Sequence, residues 1–331
     1  MRKILASASV FALLSATAHA ADGDASRVYK PSSAWQADFG DDYCRLARSF
    51  SDGKDTLSVA LERIQPTNSV RLILVGNGIR MFRGSDQLGF TLSPSGGERK
   101  GPFWRSETTD GRQYLNLGEV FMAPPMAFGA PPGAPRVEAR KEFDRVPDKP
   151  AAGAPPAPPQ PGQPLAIPPY NRTAEQEFAK GVTAIDITSG VMEPARIETG
   201  NLKAPIGVLQ QCADDLLAVW GLDPEKHKAM TRRAAPATEA NKWLPTGTIG
   251  FGDFPKLGGS ANQFRIMVSA EGKPTSCTVH WPTLEQKTND AVCKAIMNKG
   301  EFSPALDAAG QPMSSYWTVA PFFLMPPFGG T

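Results

Sequence analysis

Residues 123–169 impose the strongest constraint on what this chain can fold into. "APPMAFGAPPGAPRVEARKEF" and "PAAGAPPAPPQPGQPLAIPP" are dense in proline and carry no helical or strand period. Proline fixes its own φ and lacks a backbone donor. Such a stretch cannot bury enough apolar surface to offset the entropy lost on ordering it. It reads as an extended, polyproline-II-like excursion, with a ligand for SH3-like partners as the alternative reading. Any packed core must therefore come from the patterned stretches on either side.

The first twenty residues have their own signature. Met1-Arg2-Lys3 precede the apolar run "ILASASVFALLSATA", and Ala18-His19-Ala20 follow. A basic start, a short apolar core and an A-x-A end predict a cleaved secretory leader, residues 1–20. No later run reaches the ~20 apolar residues of a membrane span. The expectation is a periplasmic, soluble chain without stable membrane insertion; an uncleaved anchor is the alternative. The 35 lysines and arginines lose Arg2 and Lys3 with the leader and then equal the 33 acids. A neutral chain without a dense basic run speaks against a nucleic-acid partner.

Upstream of the proline-rich excursion, residues 35–122 alternate as strands do. Leu57, Val59 and Leu61 share one face, as do Val70, Leu72 and Leu74, and turn residues separate the runs. Shorter strands are predicted near 87–92 and 112–117, giving an antiparallel sheet. Downstream, "GVTAIDITSG" reads as a strand. In "LQQCADDLLAVWG", Leu209, Cys212, Leu216, Val219 and Trp220 share a helical face, with Gly221 as C-cap.

Four cysteines remain in the expected mature chain, Cys44, Cys212, Cys277 and Cys293. In an exported protein an even count reads as disulfides, and four allow three pairings. A Cys44–Cys212 bond would tie the late helix to an early strand across the proline-rich stretch. That makes 123–169 an insertion within an N-terminal domain of residues 21–223.

After a linker at 224–249, residues 250–325 read strand, strand, helix, strand. Phe264, Ile266 and Val268 alternate, then Cys277, Val279 and Trp281. "TLEQKTNDAVCKAIMNKG" reads as a helix, with Thr283 and Gln286 as a capping box or Thr288 as the start of its regular part, and Gly300 as its end. "SSYWTVAPFF" is the closing strand, and Pro321, which cannot donate to the ladder, places that end at an edge or outside the sheet. Cys277 faces inward and Cys293 neighbours the inward stripe, which favours bonding them; two buried free thiols are the alternative. The fold class is α+β: a β-rich N-terminal domain with a late helix, a proline-rich insertion and a small antiparallel β-β-α-β C-terminal domain.

The ordered set "FRIMVSAEGKPTSCTVHWPT", "NDAVCKAIMNKGEFSPALDAAGQPM" and "SSYWTVAPFF" resembles the C-terminal domain of the TonB family, over roughly residues 250–325. With "CADDLLAVWG" and the paired cysteines, it is similar to exported TonB-C-like proteins of alphaproteobacteria. The resemblance implies contact with a protein or peptide of the cell envelope by strand addition. The candidate edge is Ser314, Ser315, Tyr316, Trp317, Thr318 and Val319, with Tyr316 and Trp317 as anchors or as core. TonB proper has a membrane anchor followed by a proline-rich spacer. Here the apolar run looks cleavable, and ordered sequence follows the prolines. The expectation is a non-catalytic binding or scaffold protein. Its alternatives are an energy transducer for outer-membrane transport on an uncleaved N-terminus, and an uncharacterised periplasmic enzyme.

Residues with chemistry are sparse. No G-x-S-x-G, H-E-x-x-H or P-loop occurs, and in "GNGIRMFRG" Met81 replaces the third glycine of a dinucleotide loop. No C-x-x-C occurs, so no zinc site is expected, and no metal or cofactor. Asp214-Asp215 reads as a solvated helix face, Asp41-Asp42 as turn chemistry. His227 lies in a charged surface-like run and His280 alternates outward from Val279.

Overall fold

The computed structural model describes residues 27–123, 170–257 and 261–325. The expected leader at 1–20 and residues 124–169 of the proline-rich stretch lie outside the described residues. Nine strands precede that stretch: β1 (Arg27–Pro31), β2 (Gln36–Phe39), β3 (Cys44–Ser51), β4 (Thr56–Arg63), β5 (Ser69–Val75), β6 (Gln87–Pro94), β7 (Glu98–Pro102), β8 (Trp104–Glu107) and β9 (Gln113–Phe121). After it come α1 (Arg172–Gly181), β10 (Val182–Ser189), β11 (Ala195–Ile197), α2 (Lys203–Val219) and α3 (Pro224–Lys228).

The alternating residues do what alternation requires. In the antiparallel ladder β3–β4–β5, Leu46 lies opposite Leu61, and Leu61 opposite Leu72. All three are buried, because a period of two sends them to one face. The sheet is mixed rather than antiparallel throughout: β1 runs parallel to β11, with Arg27 opposite Ala195. Its order is β7-β6-β10-β11-β1-β3-β4-β5-β9-β8, with β2 on the side of β3. Arg99 of the end strand β7 donates to the carbonyls of Phe121 (2.8 Å) and Ala123 (2.6 Å) at the end of β9, next to the opposite end strand β8. The result is a nearly closed sheet in which β10 and β11, from beyond the prolines, pair with β6 and β1.

Helix α2 covers this sheet with Ile206, Leu209, Cys212 and Leu216. Val219, expected on the same face, is exposed: it is the last helical residue, and the chain turns away through Gly221 at φ +75°. Leu222 N–H then bonds the Leu217 carbonyl (2.8 Å), satisfying an otherwise orphaned acceptor. Cys44 and Cys212 are bonded, with Cα atoms 5.9 Å apart.

A short strand β12 (Ala235–Pro236) leads to a second sheet built from β13 (Gln263–Val268), β14 (Pro274–His280) and, beyond α4 (Gln286–Lys299) and the two-residue pieces β15 (Phe302–Ser303), β16 (Ala305–Leu306) and β17 (Pro312–Met313), the last strand β18 (Ser315–Val319). Its order is β14-β13-β18, antiparallel throughout. Phe264, Ile266, Val268, Val292, Ile296 and Phe302 form the core between sheet and α4. Cys277 and Cys293 are bonded across it, with Cα atoms 5.7 Å apart. Gly272 turns β13 into β14 at φ +76°, and a Cβ there would stand 2.1 Å from the Phe302 carbonyl oxygen. Only glycine fits that turn against the segment after α4.

The start of α4 departs from the expected capping box. Its N-cap is Glu285, with no side-chain cap, and the Thr283 hydroxyl donates to the Lys256 carbonyl (2.5 Å) instead. Buried Asn262, at φ +56°, takes over: its side-chain Oδ1 accepts from Thr283 N (3.0 Å) and Leu284 N (3.1 Å). Its amide donates to Asn289 on α4 (2.8 Å), so the entry to the helix is held by a long-range polar group. Pro321 leaves the ladder as expected and opens a 3-10 turn, Pro321–Leu324.

Candidate functional site

Period two gives the small sheet a second face. With Phe264, Ile266 and Val268 turned to α4, the other side carries Gln263, Arg265 and Met267 of β13, Tyr316 and Thr318 of β18, and Thr278 and His280 of β14. This row looks like a solvent face in sequence, yet it packs on the large sheet and its helices. Arg265 pairs with Asp42 (2.8 Å) and lies 3.9 Å over the Trp220 ring. Gln263 donates to Glu119 (3.1 Å) and Thr318 to Gln65 (2.9 Å). Tyr316 stands edge-on to Trp220 at 5.3 Å and joins Leu217 and Leu222 in a small cluster. The chain is thus stacked as large sheet, small sheet and α4.

The two described histidines, His227 and His280, belong to this seam and neither is a surface residue, contrary to the sequence expectation. Buried His227 donates through Nδ1 to the Asp223 carbonyl (2.8 Å), and its Nε2 meets the Ser315 hydroxyl (3.1 Å). Burial lowers its pKa. His280 is 5% exposed, and its Nε2 has no hydrogen-bond partner among the described residues. Burial, then Arg265 and Arg71 against the opposing pull of Asp42, bring its pKa down to about 4. Arg71 itself lies 3.0 Å from the ring centre of Trp281 and is drawn down to about 10 by burial, which Glu62 opposes.

A pH dependence follows. His280 is depressed in the folded chain relative to its ordinary 6.5. Its contribution is whole above that value and is lost as pH falls toward 4, by up to about 3 kcal/mol. Urea midpoints at pH 7 and pH 4.5 measure the loss, and His280→Gln should remove a large part of the difference. An unchanged pH difference in that variant would exclude His280 as its source.

Where the two sheets meet, a small cleft of about 40 Å³ opens to solvent. Pro66 of the β4–β5 turn, Tyr170 and Arg172 at α1, Asp214 and Leu217 of α2, His227 and Lys228 of α3, Met230, Arg233 and Tyr316 line it. Asp214, read from sequence as solvated, is 5% exposed and binds Arg172 (2.8 Å) and Lys228 (3.1 Å); Asp215 is the exposed neighbour. Behind Tyr170 lies a closed polar network. Glu175 accepts from Arg63, from the Tyr170 hydroxyl and from Gln210 (2.8 Å). Burial raises the Tyr170 and Tyr316 phenols, so both stay neutral at any ordinary pH.

The candidate edge residues fall in three environments. Ser314 is exposed, Ser315 and Tyr316 are buried against α2 and α3, and Trp317 packs on Trp243 (5.8 Å) and Phe302 (5.5 Å). Thr318 faces Gln65, and Val319 belongs to the α4 core. Both aromatic anchors are therefore occupied by packing. On the far edge, Thr275 and Ser276 of β14 are exposed. Sequence reasoning did not single out Arg172, Lys228 or Arg233. The one local signal nearby was Asn171, which caps α1 by accepting from Ala174 N (2.9 Å).

Among the described residues no group of three His, Cys, Asp or Glu side chains gathers as a metal site needs, and no helix is long and apolar enough to cross a membrane. The two disulfides are compatible with an exported protein. Comparison of the chain with protein-family models, curated proteins and solved structures finds no match among them.

Proposed function

We propose that this chain is an exported, non-catalytic binding protein of the cell envelope that accepts an extended peptide as an added strand on its C-terminal sheet. The observation that carries this reading is the order β14-β13-β18, which leaves two outer strands with one neighbour each. The large sheet, by contrast, curls until its ends nearly meet. An outer strand presents unpaired N–H and C=O groups, a template for another chain. The resemblance of residues 250–325 to the TonB C-terminal domain points to the same mode. Because Tyr316 and Trp317 are packed, recognition falls to the main chain and to small exposed residues at the edges, Ser314 beside β18 and Thr275 and Ser276 on β14.

In-cell photo-crosslinking tests this. A photoreactive residue replaces Ser314 or Ser276, with exposed Lys242 as a remote control position. Discrete adducts are expected from at least one edge and not from Lys242. Equal recovery from all three positions would sink strand addition. N-terminal sequencing of the exported protein belongs with it: a start near Ala21 fits the periplasmic reading, and retention of Met1 fits the transducer alternative.

A further inference from the structure

The cleft between the two units carries a charge imbalance that its own residues leave standing. Arg172, Lys228 and Arg233 line it with one carboxylate, Asp214, and Glu225, outside the lining, pairs with Lys228 (2.7 Å), which leaves Arg233 without a counter-ion among the described residues. Arg172 and Lys228 are both bonded to Asp214, and Arg172 also donates to the Gln210 carbonyl (2.7 Å). Arg233 makes no ion pair among the described residues. It donates through Nη2 to the Pro66 carbonyl (3.2 Å), while its buried Nε has no hydrogen-bond partner. A guanidinium presents five donors in a planar fork suited to two oxygens of one anion. Leu217, Met230 and Tyr316 supply the apolar part of the lining around it. Ligand sites combine this pattern, an apolar concave wall with a few convergent polar groups, and favour domain interfaces.

We infer that this cleft binds a small organic anion, with a carboxylate or phosphate head on Arg233 and a compact apolar body against Leu217, Met230 and Tyr316. The inference is independent of strand addition, because it uses side chains in the cleft rather than free main chain. It also implies that the ligand bridges the units, since Arg172 and Asp214 belong to the first and Tyr316 to the last strand. Bound ligand then stabilises their docked arrangement by mass action.

Calorimetric titration of the full-length oxidised protein with benzoate and with phenyl phosphate, at matched ionic strength in chloride, tests it. Saturable binding of at least one probe is expected, and the stronger of the two assigns the head group. Arg233→Gln should weaken it about tenfold or more, the scale of one lost charge-assisted bond. Met230→Phe, which fills the cleft and keeps the charge, should weaken it too, and decides the matter if Arg233→Gln fails to fold. Lys242→Gln, at a surface pair with Glu239, should leave it unchanged. Absence of saturable heat with both probes, or binding that survives either cleft substitution unchanged, overturns the assignment.

Discussion

Glu175→Ala is expected to destabilise the protein by about 3–5 kcal/mol, the scale of breaking a buried ion pair from one side. Glu175 and Arg63 have fully buried side chains. Arg63 has two further anchors, the Ser69 carbonyl (3.2 Å) and the Tyr170 hydroxyl (3.0 Å), which hold the guanidinium in place once its counter-ion is gone. The loss is thus the cost of a stranded charge rather than of a missing contact. Replacing both partners, as in Arg63→Met with Glu175→Leu, should recover most of it, because the pair must offset its own desolvation before it stabilises anything. Urea unfolding of the single and double variants separates the two. A single variant within 1 kcal/mol of the parent, or a double variant no better than the single, contradicts this account. The pair matters for architecture too: Arg63 ends β4 before the proline-rich excursion, and Glu175 lies in the first turn of α1 after it.

The second large effect concerns the bridge that spans the same excursion. Cys44 and Cys212 are 168 residues apart in sequence, Cys277 and Cys293 only 16. Loop-closure entropy assigns about 5 kcal/mol to the long loop and about 3 kcal/mol to the short one. The Cys44→Ala, Cys212→Ala variant should therefore lose more stability than the Cys277→Ala, Cys293→Ala variant. Denaturant midpoints of the two double variants, with the remaining bridge verified by peptide mapping, give the ranking. The reverse order would mean that the unfolded chain is already compact across residues 44–212, so that the bond removes little freedom.

The legible parts of this fold share a cause: local repetition against an apolar layer. Leu57, Val59 and Leu61, and Val70, Leu72 and Leu74, are all buried where their alternation put them. Gly300 closes α4, and Pro321 leaves the ladder to open a 3-10 turn, as their residue types require. The illegible parts are long-range and polar. Strand β1 pairs in parallel with β11, a partner that no window of sequence can supply. Thr283 with Gln286 had the spacing of a capping box, yet Asn262 satisfies the backbone there. Arg265, His280 and Thr318 alternate as solvent-facing residues do, and a polar seam produces the same pattern as water. The candidate cleft was hidden for the same reason. Arg172, Asp214, Lys228 and Arg233 are dispersed charges in sequence, and only the folded chain gathers them.

Each sulfur bridge closes within its own unit: Cys44 to Cys212 in the first, Cys277 to Cys293 in the second. No covalent strap other than the main chain runs between the two halves. One cut just after α3, near residues 229–230, would leave non-covalent contacts such as Arg265 on Trp220, Thr318 on Gln65, His227 on Ser315 and Arg233 on Pro66 to hold the halves together. The halves of a nicked molecule should then dissociate on dilution or at high salt and re-form on return, as an ordinary heterodimer does.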